Sequence, residues 1–172
     1  MSIKLIALDM DGTLMNSKSE LSEGNKKALE KAMQAGILVV PATGRVYSTL
    51  PEGVKNLPGV KYVLSSNGAA VYRIGEQKPI YTNFMSTEKA LKIYEAIKEV
   101  HCIKEFYING NGYFEKKILN CIDTFDILPT FRKYYKITKV AVENMEEFIT
   151  QNKQGVEKIN LPWITPELRK EL

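Results

Sequence analysis

The chain has 172 residues, 44% of them hydrophobic and 26% charged, a balance that excludes disorder and suits one domain or one domain with a small insert. Its 24 basic residues against 20 acidic ones leave a net charge of +4, spread along the chain without a basic run. That pattern reads as a solvated surface and argues against nucleic-acid binding, and the lack of any apolar run of about 18 residues argues against a membrane span.

Ile3–Leu8 is a short apolar run that suits a strand covered on both faces in a parallel sheet. It begins too early to leave room for a targeting segment. Ser22 then caps an expected helix whose apolar stripe is Ala28, Leu29, Ala32 and Met33, with Gly36 as its stop. Ile37–Val40 is the second strand, and a further helix is expected from near Arg45 to about Pro51. Lys61–Leu64 is the third strand, followed by a turn at Asn67-Gly68. Strand, helix, strand, helix, strand is the signature of a doubly wound α/β sheet.

The pattern changes after about residue 78. Ser86 caps a helix with apolar Ala90, Ile93, Tyr94 and Ile97 at helical spacing. The segment EFYINGNGYFEK reads as a hairpin, because Asn-Gly pairs accept the positive φ of tight turns. Lys136–Val142 is a strand candidate, Asn144 with Glu147 resembles a capping box, and Val156–Asn160 is a further strand. Thr165-Pro166-Glu167 announces a helix of which only residues to Leu172 follow. The basic and aromatic cluster Phe131–Lys136 reads as an element edge rather than an RNA platform. His101 reads as structural, and Cys102 and Cys121, lacking close spacing, as reduced thiols of a cytoplasmic protein.

Chemistry concentrates in LIALDMDGTLMNS, Leu5–Ser17, where the first strand ends in Asp9 and Asp11. Ligands of open α/β sheets bind at the carboxyl ends of the strands. Two carboxylates placed there repel unless a cation shares the site, and Mg²⁺ fits an all-oxygen donor pair. Gly12 allows the loop to approach a ligand closely. An acidic surface turn is the plainer alternative. Thr43 and the Gly44 amide, just past the second strand, can hydrogen-bond a phosphoryl oxygen, and Arg45 can add a charge-assisted contact. Thr43 as a plain helix cap uses the same terminus. For Asn67, lining a site and forming an ordinary hairpin turn are equal readings.

Asp9, Asp11, Gly12, Thr13 and Leu14 together resemble the first motif of the haloacid dehalogenase superfamily, DxDGT[LV]. Thr43 resembles its second motif. The forms TGR and SSNGAAV are similar to the Cof-type sugar-phosphate phosphatases, where the Asn67-Gly68 turn would line the site. The resemblance implies a partial Rossmann-like core over residues 1–80 and an α+β cap domain over 81–172, inserted after the third strand. It implies a phosphatase acting on small phosphorylated metabolites, with Mg²⁺ held by Asp9 and Asp11. Asp9 would attack phosphorus to form an aspartyl-phosphate, and Asp11 would act as general acid and then base.

The family's third motif, a lysine or arginine, and its fourth, an acidic pair, have no counterpart here; Lys158 follows a strand onset and is not assigned to the third motif. The expectation is a truncated member with weak or no activity, or a non-catalytic remnant that binds phosphate compounds or a protein partner. A further expectation is that Ile3–Leu8 forms an apolar edge through which two copies could pair as a homodimer.

Overall fold

A computed structural model describes residues 3–125 and 127–172, apart from the side chains of Phe131, Tyr134 and Lys136. The chain divides into two units, with the boundary between Asn83 and Phe84. The cluster at 131–136 therefore lies partly outside the described residues; its backbone is helical.

The first unit is a five-stranded sheet in sequence order: β1 (Leu5–Asp9), β2 (Leu38–Ala42), β3 (Tyr62–Ser65), β4 (Ala70–Arg73) and β5 (Tyr81–Thr82). β1, β2 and β3 run parallel, whereas β4 and β5 are antiparallel additions. The α/β class with a parallel sheet is thus as expected. β1 forms the sheet's edge; Leu5 within it and Ile3 just before it are 52% and 69% accessible.

Helix α1 (Glu23–Gln34) links β1 to β2 and starts where Ser22 Oγ accepts the Asn25 N–H. Its end is a Schellman turn. Gly36 sits at φ +80, and the amides of Gly36 and Ile37 bond to the carbonyls of Met33 and Ala32. Of its expected stripe, Leu29 is buried and Ala28 is exposed. Met33 lies against Gly59, where an added Cβ would come within 2.7 Å of its sulfur.

The helix expected from Arg45 does not form. A single 3₁₀ turn covers Tyr47–Thr49, and α2 (Glu52–Lys55) starts afresh after Pro51. The cause is local: Pro51 drives Leu50 to an extended conformation, φ −66° and ψ 135°, which no continuous helix can pass through.

The second unit holds α3 (Thr87–Ile97), β6 (Glu105–Ile108), β7 (Asn111–Glu115), α4 (Lys117–Cys121), α5 (Pro129–Thr138), β8 (Val140–Val142), α6 (Met145–Gln151), β9 (Lys158–Asn160) and α7 (Pro166–Glu171). Its sheet order is β8-β7-β6-β9. The β6–β7 hairpin turns at Asn109-Gly110, φ +50 and +73, as the Asn-Gly pair predicts. Ser86, Asn144 and Thr165 each cap a helix through a side-chain oxygen. The strand expected over Lys136–Val142 is a correction: Pro129 at the first helical position starts α5, which runs to Thr138, and only Val140–Val142 pairs with β7.

Strand alternation gives this sheet two different faces. Phe106 and Ile108 pack with Ala90, Tyr94, Met145 and Ile149 in one cluster. Glu105 and Tyr107 point the other way into a buried polar network. Tyr107 Oη donates to Glu105 Oε2 at 2.7 Å, Asn160 Nδ2 to the same oxygen at 2.9 Å, and Lys139 Nζ to Tyr107 Oη at 2.6 Å. Lys139 reaches across Gly112, where a Cβ would stand 2.8 Å from its Cδ. Burial lowers the pKa of Lys139 and of Lys158, whose ammonium lies 4.4 Å from the Tyr107 ring centre.

Tyr94 tests the packing of the first face. Its hydroxyl donates to Glu115 Oε1 at 3.1 Å, and burial, reinforced by that carboxylate, pushes its pKa from 10.0 up to about 12. A proton held more tightly in the folded chain stabilises it fully below the unfolded value and is lost as a stabilising term between pH 10 and about 12. Chemical denaturation of wild type and Tyr94→Phe should therefore give a stability difference that is flat below pH 10 and moves against the wild type above it. A difference that stays flat to pH 12 would contradict this.

Candidate active site

All six residues singled out from the sequence lie in the first unit, at the carboxyl ends of its parallel strands. The β1–β2 register aligns Leu5 with Leu38 and ends with Asp9 beside Ala42. Thr43 is therefore the next residue past the end of β2, and its amide bonds to Leu64 O of β3 at 2.9 Å. Three strand ends thus converge through backbone pairing alone.

Beyond Asp9 the chain folds into a tight loop. The amides of Thr13 and Met15 both bond to Met10 O, Leu14 N bonds to Asp9 O, and Gly12 turns at φ +77. Met10 points inward and is fully buried, while Asp9 and Asp11 on either side of it face solvent. This is the strand's period of two carried one step beyond its end. Thr13 Oγ1 donates to Asp9 Oδ2 at 3.2 Å and steadies the carboxylate.

Within the chain, Asp11 pairs with Arg45. Arg45 Nε and Nη2 donate to its two oxygens at 3.0 and 2.7 Å, a bidentate fork. The side chains are 32% and 51% accessible, so solvent screens the pair and its worth is of the order of 0–1 kcal/mol. Arg45 also reaches Ser19 Oγ and Thr49 O, both at 3.4 Å. Ser19 carried no sequence signal. It enters only because the loop after β1 folds back, bridging Met15 to both Asp11 and Leu21. A cavity of about 440 Å³ opens beside that loop, lined by Met15, Ser19, Leu21, Pro51, Val54 and Leu57 among others.

Thr43 caps a turn, not a helix. It is 6% exposed, and its Oγ1 accepts the Arg45 N–H at 3.1 Å. The TGR segment is locked to the turn after β3. Ser66 N bonds to Arg45 O at 2.8 Å and Asn67 N to Thr43 O at 3.1 Å. Ser66, Asn67 and Gly68 all have positive φ, +52, +59 and +89. For the serine this conformation is strained, and the two backbone bonds hold it. The turn does connect antiparallel strands, and it also touches the candidate site. Asn67 Oδ1 stands 2.6 Å from where a Cβ on Gly44 would be, so any larger residue there would have to turn the exposed Asn67 amide aside.

The donor chemistry suits a hard cation in part. Mg²⁺ is commonly held by one or two carboxylates, with phosphate oxygens and water completing the shell. Asp9 offers an exposed carboxylate, whereas that of Asp11 is engaged by Arg45. Among the described residues no group of three His, Cys, Asp or Glu side chains is arranged to hold a metal. Lys158 lies in the second unit and belongs to the network around Tyr107. His101 stacks on Phe125 at 4.8 Å, and Cys102 and Cys121 are free. No described helix is long and apolar enough to cross a membrane.

The contact at Gly44 is open to a direct test. Gly44→Ala should destabilise the chain by no more than about 1 kcal/mol in urea denaturation, the cost of turning the exposed Asn67 amide aside. Adding Asn67→Gly should recover most of that loss, because it removes the clashing oxygen and suits the left-handed backbone. An undiminished loss in the double variant would show that something other than Asn67 resists the methyl group.

The 5-amino-6-(5-phospho-D-ribitylamino)uracil phosphatase of Bacillus subtilis is 36% identical over 85 residues, covering 47% of this chain and 34% of that protein. The pyridoxal phosphate phosphatase of Escherichia coli is 26% identical over 88% of this chain and 56% of its own length. A solved structure from Thermotoga maritima superimposes with a TM-score of 0.73 at 26% identity, covering 99% of this chain and 60% of that one. The chain thus spans between 34% and 60% of the length of these three proteins. Residues 6–170 match the sequence pattern of the haloacid dehalogenase-like hydrolases, and the chain belongs to that family.

Proposed function

We propose that the first unit carries the nucleophile half of a phosphoric monoester hydrolase site of the Cof-type, acting on small phosphorylated metabolites such as sugar phosphates. The observation that carries the reading is the convergence of Asp9 and Asp11 with Thr43-Gly44-Arg45 at one edge of a parallel sheet. The phosphatase names of the relatives from Bacillus subtilis and Escherichia coli support it. In this reading the second unit is the cap domain that selects the leaving group.

The roles follow from residue chemistry. An Asp9 oxygen attacks phosphorus, the O–P bond forms, and the bond to the leaving oxygen breaks. Asp11 gives its proton to the departing alkoxide. A water then attacks the aspartyl-phosphate, its proton passes to the Asp11 carboxylate, and inorganic phosphate leaves with Asp9 regenerated. The Thr43 hydroxyl, the Gly44 amide and Asn67 hold phosphoryl oxygens, and Arg45 offsets their charge. Asp9 and Asp11 would hold Mg²⁺, which would supply positive charge against the carboxylates and the phosphoryl group.

One observation favours a second reading. Both Asp11 oxygens are engaged by Arg45, and no three-residue metal cluster exists among the described residues. A chain in that state suits phosphate binding without turnover.

Hydrolysis of p-nitrophenyl phosphate by the chain, with and without Mg²⁺, separates the two. The hydrolase reading expects slow, Mg²⁺-stimulated release that falls by at least about 100-fold in Asp9→Asn. Release unaffected by Asp9→Asn overturns it. Binding of inorganic phosphate with no Asp9-dependent release leaves the binding reading in its place.

A further inference from the structure

Helix α1 carries an asparagine whose side chain does not serve the helix. Ser22 is the N-cap, and Asn25 is the third helical residue. In a capping box that position holds Glu or Gln, whose side chain reaches back to the cap's own amide. Asn25 gives only its backbone N–H to Ser22 Oγ, at 3.1 Å. Its side chain leaves the helix, and Nδ2 donates to Leu14 O at 2.9 Å across eleven residues of sequence. Asparagine is a poor residue for a helix interior, so helix propensity does not account for it.

What it reaches is the loop that carries Asp9, Asp11 and Gly12. That loop takes its shape from bonds within itself: Leu14 N to Asp9 O at 3.2 Å, Met15 N to Met10 O at 2.9 Å, and the amides of Lys18 and Glu20 to Asn16 Oδ1 at 2.9 and 3.0 Å. Such bonds set a shape without fixing it to the elements around it. Arg45 reaches in from outside at the exposed carboxylate of Asp11, where water competes. The Asn25 bond is part-buried and Leu14 is 4% exposed, so this tie is shielded. Leu14 is thereby held on both sides, by its N–H on the last carbonyl of β1 and by its C=O on α1. One residue joins the helix to the backbone of Asp9.

We propose that Asn25 is a positioning residue for the two aspartates: through Leu14 it fixes the height of the acidic loop over the end of β1, and so where the Asp9 and Asp11 carboxylates stand. This rests on the hydrolase reading above. A displacement of about 1 Å at a reacting group can slow turnover by about 100-fold, and a tether of this kind acts on the chemical step rather than on substrate affinity.

Asn25→Ala and the equally sized Asn25→Asp test this in the whole chain, with p-nitrophenyl phosphate and Mg²⁺. Asn25→Ala should lower kcat on the order of tenfold while KM changes by less than about twofold. Ionised, the Asp variant offers Leu14 O only another acceptor; protonated, it has an O–H to donate. Its kcat relative to wild type should therefore be lowest at neutral pH and rise as the pH falls toward the carboxyl range near about 4, whereas the Asn25→Ala ratio stays level. Amide hydrogen exchange reads the tether without turnover. The Leu14 and Met15 amides should exchange at least about tenfold faster in Asn25→Ala, while those of β2 keep their rates. If thermal melts show Asn25→Ala unfolded at the assay temperature, the Asp variant carries both readouts.

Unchanged kcat and unchanged exchange in both variants overturn the proposal, as does faster exchange with kcat intact. A ratio for Asn25→Asp that is level with pH also overturns it, since the hydrogen bond itself is then not what matters. In these cases Asp9-dependent release by the wild type continues and the site reading stands. A wild-type chain with no Asp9-dependent release removes the site reading and the positioning role together.

Discussion

In a parallel ladder two strands advance together, so residues in register end at the same height. The pairing of β1 with β2 sets Asp9 level with Ala42, and everything the first unit offers chemically depends on that alignment. Asp9 and Thr43 are separated by a whole helix in sequence and become neighbours because their strands terminate side by side. The amide of Thr43 on Leu64 O brings the end of β3 to the same edge. A slip of one residue would turn Asp9 toward the other face and take Met10, now buried, into solvent.

Once the strand ends are aligned, the loops beyond them must accommodate one another. At Gly44 the two loops come close, since the tip of the Asn67 side chain lies where a Cβ would stand. The left-handed run Ser66-Asn67-Gly68 is the other half of the same fit. Its amides bond back to Thr43 and Arg45, so local strain is held by contacts between two loops. Arg45, rooted in this lock, carries the guanidinium that forks onto both oxygens of Asp11.

The second unit follows a different constraint. Its sheet has apolar residues on one face and, on the other, both an apolar cluster around Phe114 and Tyr135 and the polar network around Glu105. Burying Glu105 is tolerable because Tyr107 and Asn160 donate to it and Lys139 lies nearby, 3.9 Å away. Gly112 is what allows Lys139 to cross the sheet. Nothing in the spacing of these residues foretells the network, because its members come from two strands and the end of a helix.

The amino-acid sequence by itself determined the elements whose causes are local. These are the apolar strand before Asp9, the helix caps at Ser22, Ser86, Asn144 and Thr165, the Asn109-Gly110 hairpin, and the acidic loop with its glycine. Each needs only the conformational preference of a few adjacent residues. Where a proline overrode the apolar pattern, at Pro51 and Pro129, that reading failed, although the cause was still local. The tertiary structure alone decided which partners the functional groups take. Asp11 meets Arg45, Ser19 joins them, Asn67 comes close to Gly44, and Lys158 belongs with Tyr107. Those pairings are set by strand register and loop packing, interactions between residues far apart in the chain, and no spacing along the sequence encodes them directly.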